Sequence, residues 1–452
     1  MKAQLDALDA RLRQALTATA PGMARAGLAV LTALAFFLLM MTRPLAQLAG
    51  ASAAARAAGV LVLTLPLALM LALAMRVERE NEGSLLSALL LCALCAAAML
   101  ARVSFIDRSS GDYDIYLASW LEKLAAGSFA QGMRADVGEY NVLYQYILFL
   151  ITRMPAPAIY AVKAVSFAGD ALLALGAARL AGREGRANAA AFGAVLLLPT
   201  VVLNGGMFAQ CDSLYAACAV WGLALALEGK PARSAVCFAL SLAFKLQAVF
   251  LLPIVAVLWA DKKLRLSDAL VFLGTLLAVM LPALLGGKSL ARIVGIYAGQ
   301  TGLYTGLTYN APSLFGLLET EGLDVYAYGS FGMGLAFGAA ALLTAAGIRR
   351  AGRLSGDGYA HLAVLMTLVI VFLLPRMHER YFYLALVLSV VLACRLPALL
   401  PAAVLTELAS LSACWALHIP LYAASIMMMT AGMLVGISFM LAGKGVSKTR
   451  KP

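Results

Sequence analysis

Apolar residues along this chain run in unbroken blocks, and polar residues collect between the blocks instead of alternating with them. The blocks fall at 28–42, 59–75, 84–102, 140–152, 157–181, 187–203, 213–228, 233–245, 247–260, 267–286, 330–348, 359–375, 381–396, 398–416 and 419–442. Gly59–Met75 and Tyr359–Leu374 hold no Lys, Arg, Asp or Glu, close to the ~20 apolar residues that cross a ~30 Å hydrocarbon core as a helix. Continuous blocks exclude a transmembrane β-barrel, which needs period-two alternation. The predicted fold class is all-α: a polytopic helical membrane protein of about 12–14 transmembrane helices, with an amphipathic helix in the first outward loop.

Charged connectors lie at Arg76–Glu82, Gly182–Arg186, Lys230–Arg233, Asp261–Arg265, Arg349–Arg353 and the tail Lys444–Lys451. Placing these Lys/Arg-rich connectors in the cytoplasm turns 103–139, 204–212, the Lys245-Leu246-Gln247 break, 287–329 and Arg376–Arg380 outward. Residues 140–181 must then cross once in net terms. That requires a half-length or re-entrant helix broken near Met154-Pro155-Ala156-Pro157. Block 233–245 reaches only ~20 Å as a helix, so Lys245 is expected in an outward-opening cavity; the alternative is one long helix through 233–260. The expected organisation is a cytoplasmic amphipathic segment (1–27), N-terminal transmembrane helices (28–102), an outer catalytic loop (103–139), a transmembrane core (140–396), C-terminal transmembrane helices (397–443) and a basic cytoplasmic tail (444–452). Residues 1–20 show no signal-peptide cleavage pattern.

Composition sharpens this only in part. The chain is 63% apolar and 13% charged, far from the ~45–50% and ~25% of soluble domains. The net charge of +12 sits in short loops and tails, where membrane topology explains it without nucleic acid. The seven cysteines are odd in number and mostly within apolar helices, so they read as packing residues, including the CxxC-spaced Cys92–Cys95 in a lipid-exposed helix. His361, His378 and His418 are too dispersed for a metal site, so none is expected.

The polar residues that hydropathy leaves unexplained gather on the predicted outer side. In Ser109-Ser110-Gly111-Asp112-Tyr113-Asp114, apolar positions 113, 116, 117, 120, 121 and 124 follow helical spacing and put Asp112 at the start of an interfacial helix. Asp112 is either a helix cap or a general base for a hydroxyl at the membrane surface. Glu139, Tyr140 and Asn141 open the next block, as an aromatic belt or as groups that orient an acceptor. Gln210 and Asp212 lead into block 213–228, where Asp212 also suits a cap. Lys245 and Gln247 interrupt an apolar run, and an intramembrane lysine is a functional hypothesis by default, with Asp212 or an anionic ligand as partner. Pro375-Arg376-Met377-His378-Glu379-Arg380-Tyr381 is the strongest local signal. Arg376 and Arg380 one helical turn apart can clasp a phosphate, with His378 as a further donor; an ion-pair cluster around Glu379 is the alternative. Tyr297, Tyr304, Tyr309, Asn310, Tyr326 and Tyr328 form a tyrosine-rich outer loop suited to stacking on a sugar or to the headgroup level.

A carboxylate-bearing first outer loop followed by Gln210-Cys-Asp-Ser, Lys245-Leu-Gln and Pro375-Arg-Met-His-Glu-Arg-Tyr-Phe resembles bacterial GT-C-class multipass glycosyltransferases. These are related to the second mannosyltransferase of glycosylphosphatidylinositol synthesis and, distantly, to the polyprenyl-phosphate-glucose glucosyltransferases of N-glycan precursor assembly. The resemblance covers roughly 103–395. It implies inverting, metal-independent transfer of a hexose, mannose or glucose, from a polyprenyl-phosphate-linked donor to an extracytoplasmic acceptor hydroxyl. It places the catalytic carboxylate at Asp112, with Asp114 second. Arg376, His378, Arg380 and Lys245 are then expected on the donor phosphate, and Glu139, Tyr140, Asn141, Gln210, Asp212, Gln247 and Asn310 on acceptor or sugar. Phe208-Ala209-Gln210 stands where the family often has Trp-Gly-Gln, and Val142-Leu143 where it often has prolines. No cofactor is implied beyond the lipid-linked donor. The implied partners are that donor, a glycan, lipid or protein acceptor, and membrane lipids, with no nucleic acid. The implied location is the cell membrane, termini cytoplasmic and active site outward. The alternatives are a transporter or flippase of a lipid-linked or anionic solute, which predicts a half-to-half repeat not seen here, and an inactive scaffold.

Overall fold

The computed structural model describes residues 9–11, 13–14, 16–18, 21–138, 140–182, 185–299, 305–318 and 320–445. Among these, the only sheet is a parallel pair, Thr308–Tyr309 (β1) against Met377–His378 (β2). Among the described residues eight helices are long and apolar enough to cross a membrane, or nine if the pair Ala187–Leu197 and Pro199–Gly206, bent by 45°, is one span. Shorter apolar helices run over Val142–Ile151, Asp212–Leu227, Pro231–Phe244, Leu290–Gly299 and Pro397–Ala413. The protein is a polytopic all-α membrane protein; the larger number of crossings expected from the apolar blocks is reached only if these shorter helices count.

The chain divides into two compact units, 1–121 with 150–213, and 122–149 with 214–452. In the first, Ser52 accepts a hydrogen bond from the Ala55 amide (3.2 Å) and starts the 28-residue helix Ala53–Glu80. That helix runs through most of the connector expected at Arg76–Glu82, because Arg and Glu are good helix formers. Its charged end is neutralised by Arg25 on Glu78 and by Arg179 on Glu80. Leu85–Val103 follows, capped by Ser84, and its Cys92 and Cys95 face the interior rather than lipid. Ala158–Ala181 lies at the middle of this unit, packed on Ala53–Glu80 and Arg186–Leu197. Its alanines and glycines allow close helix approach. Pro199, without an amide hydrogen, interrupts block 187–203 and starts Pro199–Gly206 as its first residue.

Val142–Ile151 is a half-length helix that ends in the first unit, followed by the expected break at 152–157. In the second unit the run 233–260 is likewise broken: Pro231–Phe244 ends at Lys245, which is extended (φ −154°), before a 3-10 turn over Leu246–Phe250 and the helix Pro253–Ala260. The predicted loop 287–329 contains the helix Leu290–Gly299 and strand β1. Gly356–Leu373 packs on Val325–Arg349, Tyr383–Arg395 and Leu421–Gly445. A Cβ on Gly332 would lie 2.8 Å from the Leu373 carbonyl, so only glycine permits that crossing. Leu400–Ala413 ends in a Schellman turn, with Ala416 donating to Leu411 O and Trp415 to Ser412 O, both 2.9 Å. Trp415 holds the left-handed position of that turn (φ 56°) where glycine is the default.

Candidate functional site

In the first unit the site is built around Asp112. Ser110, not Asp112, caps the helix: its Oγ accepts from the Tyr113 amide (3.2 Å), while Asp112 is already helical and makes no capping bond. The Asp112 carboxylate instead accepts from Gln210 Nε2 at 2.8 Å. Residues Tyr113–Leu117 form a π-turn, a form concentrated at functional sites. The wider turn shifts the helical phase, so Tyr116 faces outward instead of joining the buried face of Leu117, Leu121 and Leu124. Asp114, the second choice, is exposed and bonded by Ser109 Oγ at 2.8 Å. Burial pushes the Tyr113 hydroxyl up to about 12, with the Asp114 charge adding to it, which leaves Tyr113 unsuited as a base.

Gln210 is itself held. Its carbonyl accepts from Ser166 Oγ (2.7 Å), and the Ser166 carbonyl accepts from Ser213 Oγ (2.9 Å). Ala209 before it is left-handed (φ 54°), the conformation natural to glycine. Asp212 begins the helix Asp212–Leu227, is buried, and accepts from Asn204 Nδ2 at 2.9 Å.

In the second unit, Lys245 is 7% exposed and places Nζ 5.4 Å from the Tyr140 ring centre. Asn141 (2% exposed) donates Nδ2 to the Leu242 carbonyl at 3.1 Å. Buried with it, Asn141 Oδ1 and Gln247 Oε1 find no protein donor, and such acceptors are costly unless a ligand or water serves them. Glu139 lies outside the described residues. The helix Val142–Ile151 starts directly after Asn141.

The cationic segment differs from expectation. Arg376 and Arg380 are not one helical turn apart, because Pro375 ends the preceding helix and Arg376 takes a left-handed turn (φ 63°). Met377–His378 then pair as a strand, and only Glu379–Phe382 return to a 3-10 turn. The Arg376 amide donates to Leu307 O at 2.8 Å. His378 stacks on Tyr309 (ring centres 4.9 Å, planes 17° apart) and its backbone bridges Asn310. Arg380 Nη1 reaches Glu379 Oε1 at 3.1 Å and His378 Nδ1 lies 3.5 Å from Glu379 Oε2. An ion-pair cluster around Glu379 is therefore present. Burial raises the Glu379 pKa, but the hydrogen bond to His378 and the Arg380 charge outweigh it and hold the carboxyl below its ordinary value.

Strain marks these segments. Among the described residues the left-handed non-glycines are Glu82, Ala209, Lys262, Asn310, Arg376 and Trp415; of these, Ala209 adjoins Gln210, and Asn310 and Arg376 adjoin His378 and its paired strand. Such conformations persist where surrounding structure over-determines them, commonly at functional sites.

The sequence reading passed over Lys163, Asp170, Arg102 and Lys288. Lys163, fully buried, donates to Phe105 O (2.7 Å), Ile106 O (3.1 Å) and Arg108 O, gripping the backbone that leads to Asp112. Asp170 pairs with Arg102 at 2.8 Å, both buried. Lys288 donates to Gln145 Oε1 (2.8 Å), whose amide donates to Tyr140 O (2.7 Å). Burial and neighbouring Arg292 lower the Lys288 pKa, against the opposing charge of Asp136. The signal was present: Lys163 and Asp170 are charges inside an apolar block. His361 is structural, bonded to Asp357 O and Ser438 Oγ. Among the described residues, no group of three or more His, Cys, Asp or Glu is arranged to hold a metal.

No curated protein matches the chain. Residues 140–261 match the family described as alpha-(1->6)-mannopyranosyltransferase, N-terminal domain, which takes in Tyr140, Asn141, Gln210, Asp212, Lys245 and Gln247. The match supports a mannosyltransferase-like family and, with it, a membrane glycosyltransferase that uses a sugar donor and an acceptor.

Proposed function

We propose that this protein moves a hexose, mannose first, from a polyprenyl-phosphate-linked donor to an acceptor hydroxyl on the outer side of the cell membrane, with inversion and without a metal. The observation that carries the reading is the Asp112 carboxylate, relieved of capping by Ser110 and bonded by Gln210 on a π-turn. A carboxylate fixed in this way takes the proton of an acceptor hydroxyl as that oxygen attacks the anomeric carbon. Arg376, His378, Arg380 and Lys245 stabilise the negative charge that develops on the leaving phosphate. Asn141 and Gln247, each with a buried oxygen lacking a protein donor, accept from sugar hydroxyls. Tyr140, Asp212, Asn310 and Glu139 complete the sugar- and acceptor-binding set, and Asp114 is the reserve carboxylate.

The test is transfer of radiolabelled sugar from polyprenyl-phosphate-mannose or -glucose to membrane acceptors, with EDTA throughout, comparing wild type with Asp112→Asn. Transfer by wild type alone is the expected result. Equal transfer by both removes Asp112 as base. Absence of transfer from either donor removes the donor assignment and makes solute uptake the next assay.

A further inference from the structure

The turn after Leu400–Ala413 borders a half-open cavity of about 240 Å³ lined by Asn310, Ser412, Trp415, His418 and Leu421, among others. It lies outside the stretch that matches the mannosyltransferase family. Two bonds tie it to the cationic segment: Asn310 Nδ2 donates to Ala413 O, and the Asn310 backbone bridges His378. Trp415 stands in the left-handed position of a Schellman turn, where a side chain is strained, yet its indole is 70% exposed. Packing does not explain a large aromatic at that position. A flat indole beside an amide, a hydroxyl and an imidazole is the composition that recognises a sugar ring, stacking on its C–H face and bonding its hydroxyls. The volume falls below the ~300–1,000 Å³ of pockets for larger ligands, which suits one sugar ring.

We propose that this cavity is a saccharide subsite for the acceptor, with Trp415 as its stacking platform, Asn310 and His418 as hydrogen-bonding groups, and Ser412 Oγ, whose hydrogen goes to Ile419 O at 2.6 Å, as an acceptor. Asn310 couples the subsite to the His378 segment. The proposal rests on the glycosyl-transfer reading for the identity of its ligand, but binding is read without turnover, so the two fail separately.

Purified protein in nanodiscs is titrated with methyl α-mannopyranoside and with mannobiose while tryptophan emission is followed. The other tryptophans, Trp120, Trp221 and Trp259, provide the unresponsive background. A saturable change in emission is expected, undiminished in Asp112→Asn and lost in Trp415→Gly. The glycine variant relieves the left-handed strain, so its thermal midpoint is expected to equal or exceed that of wild type, which separates loss of the ligand from loss of the fold. Where transfer is measurable, Trp415→Gly raises the acceptor KM by ~3–10-fold and leaves the donor KM unchanged, the size of an aromatic contact. No response to either saccharide at ~100 mM, well above a millimolar Kd, overturns the subsite, as does a response that survives in Trp415→Gly. A tryptophan that only anchors the chain at the headgroups gives the first of these results.

Discussion

At the scale of single residues, the chemistry depends on groups held by one or two bonds. Gln210 donates to Asp112 at 2.8 Å, a hydrogen bond to a charge worth about 1.5–3 kcal/mol. We expect Gln210→Leu to lower kcat by roughly 10–100-fold with a smaller change in KM, measured under donor saturation. Ala209→Gly should leave activity intact and not lower the thermal midpoint, since it removes a left-handed alanine that costs ~1–2 kcal/mol. Glu379 supplies a pH test. Its pKa is held below the ordinary value by His378 and Arg380, so its contribution to stability is full above the usual carboxylate range and is lost as pH falls through the lowered value. The thermal midpoint of wild type should exceed that of Glu379→Gln at neutral pH, with the gap closing below about pH 4. A gap that stays constant on acidification contradicts the role of the Glu379 charge.

At the scale of elements, the broken helices coincide in the sequence with Pro199 and Pro375, although Pro66 and Pro282 lie within continuous helices, and with a polar interruption at Lys245. The pairing of β1 with β2 was not legible, because two-residue strands leave no periodic pattern, and it is this pairing that takes Arg376 and Arg380 off a common helix. The clasp expected from their spacing assumed helical geometry that Pro375 and the left-handed Arg376 prevent. The buried pair Arg102–Asp170 at 2.8 Å joins Leu85–Val103 to Ala158–Ala181. Removing one partner strands a buried charge, so Asp170→Ala should lose ~3–5 kcal/mol of stability, and the double change Arg102→Met with Asp170→Leu should lose much less. Chemical denaturation of the purified protein reads both.

At the scale of the whole molecule, the class of fold was legible because lipid imposes one rule, apolar blocks with satisfied backbones, and the blocks obey it. Outward-facing function was argued from loop charge and from the resemblance, and that inference has a direct check. In a cysteine-free background, Cys at Ile115 or Tyr326, both exposed, should label with a membrane-impermeant maleimide in intact cells. Cys at Lys262, also exposed, should label only after permeabilisation. Candidate residues near block ends were found because hydropathy left them unexplained. Lys163, Asp170 and Trp415 were missed for the opposite reason: two charges are diluted in a long apolar average, and one aromatic at a helix end passes for an anchor.

The charges buried in Ala158–Ala181 also govern how the chain enters the bilayer. A lysine or aspartate at the centre of an inserting helix is disfavoured by ~2.5–3.5 kcal/mol; in this helix Asp170 is central and Lys163 lies nearer its start. Released singly from the insertion machinery, it would meet lipid with both charges bare. Arg102 lies earlier in the chain, so its helix is already made when Asp170 emerges. Biogenesis of this segment is therefore expected to be cooperative, with Ala158–Ala181 retained until Arg102 pairs with Asp170. In truncated nascent chains ending soon after Ala181, insertion of Ala158–Ala181 itself, read by protease protection of a tag placed after it, should depend on Arg102, while the Asp170→Leu chain should insert without it.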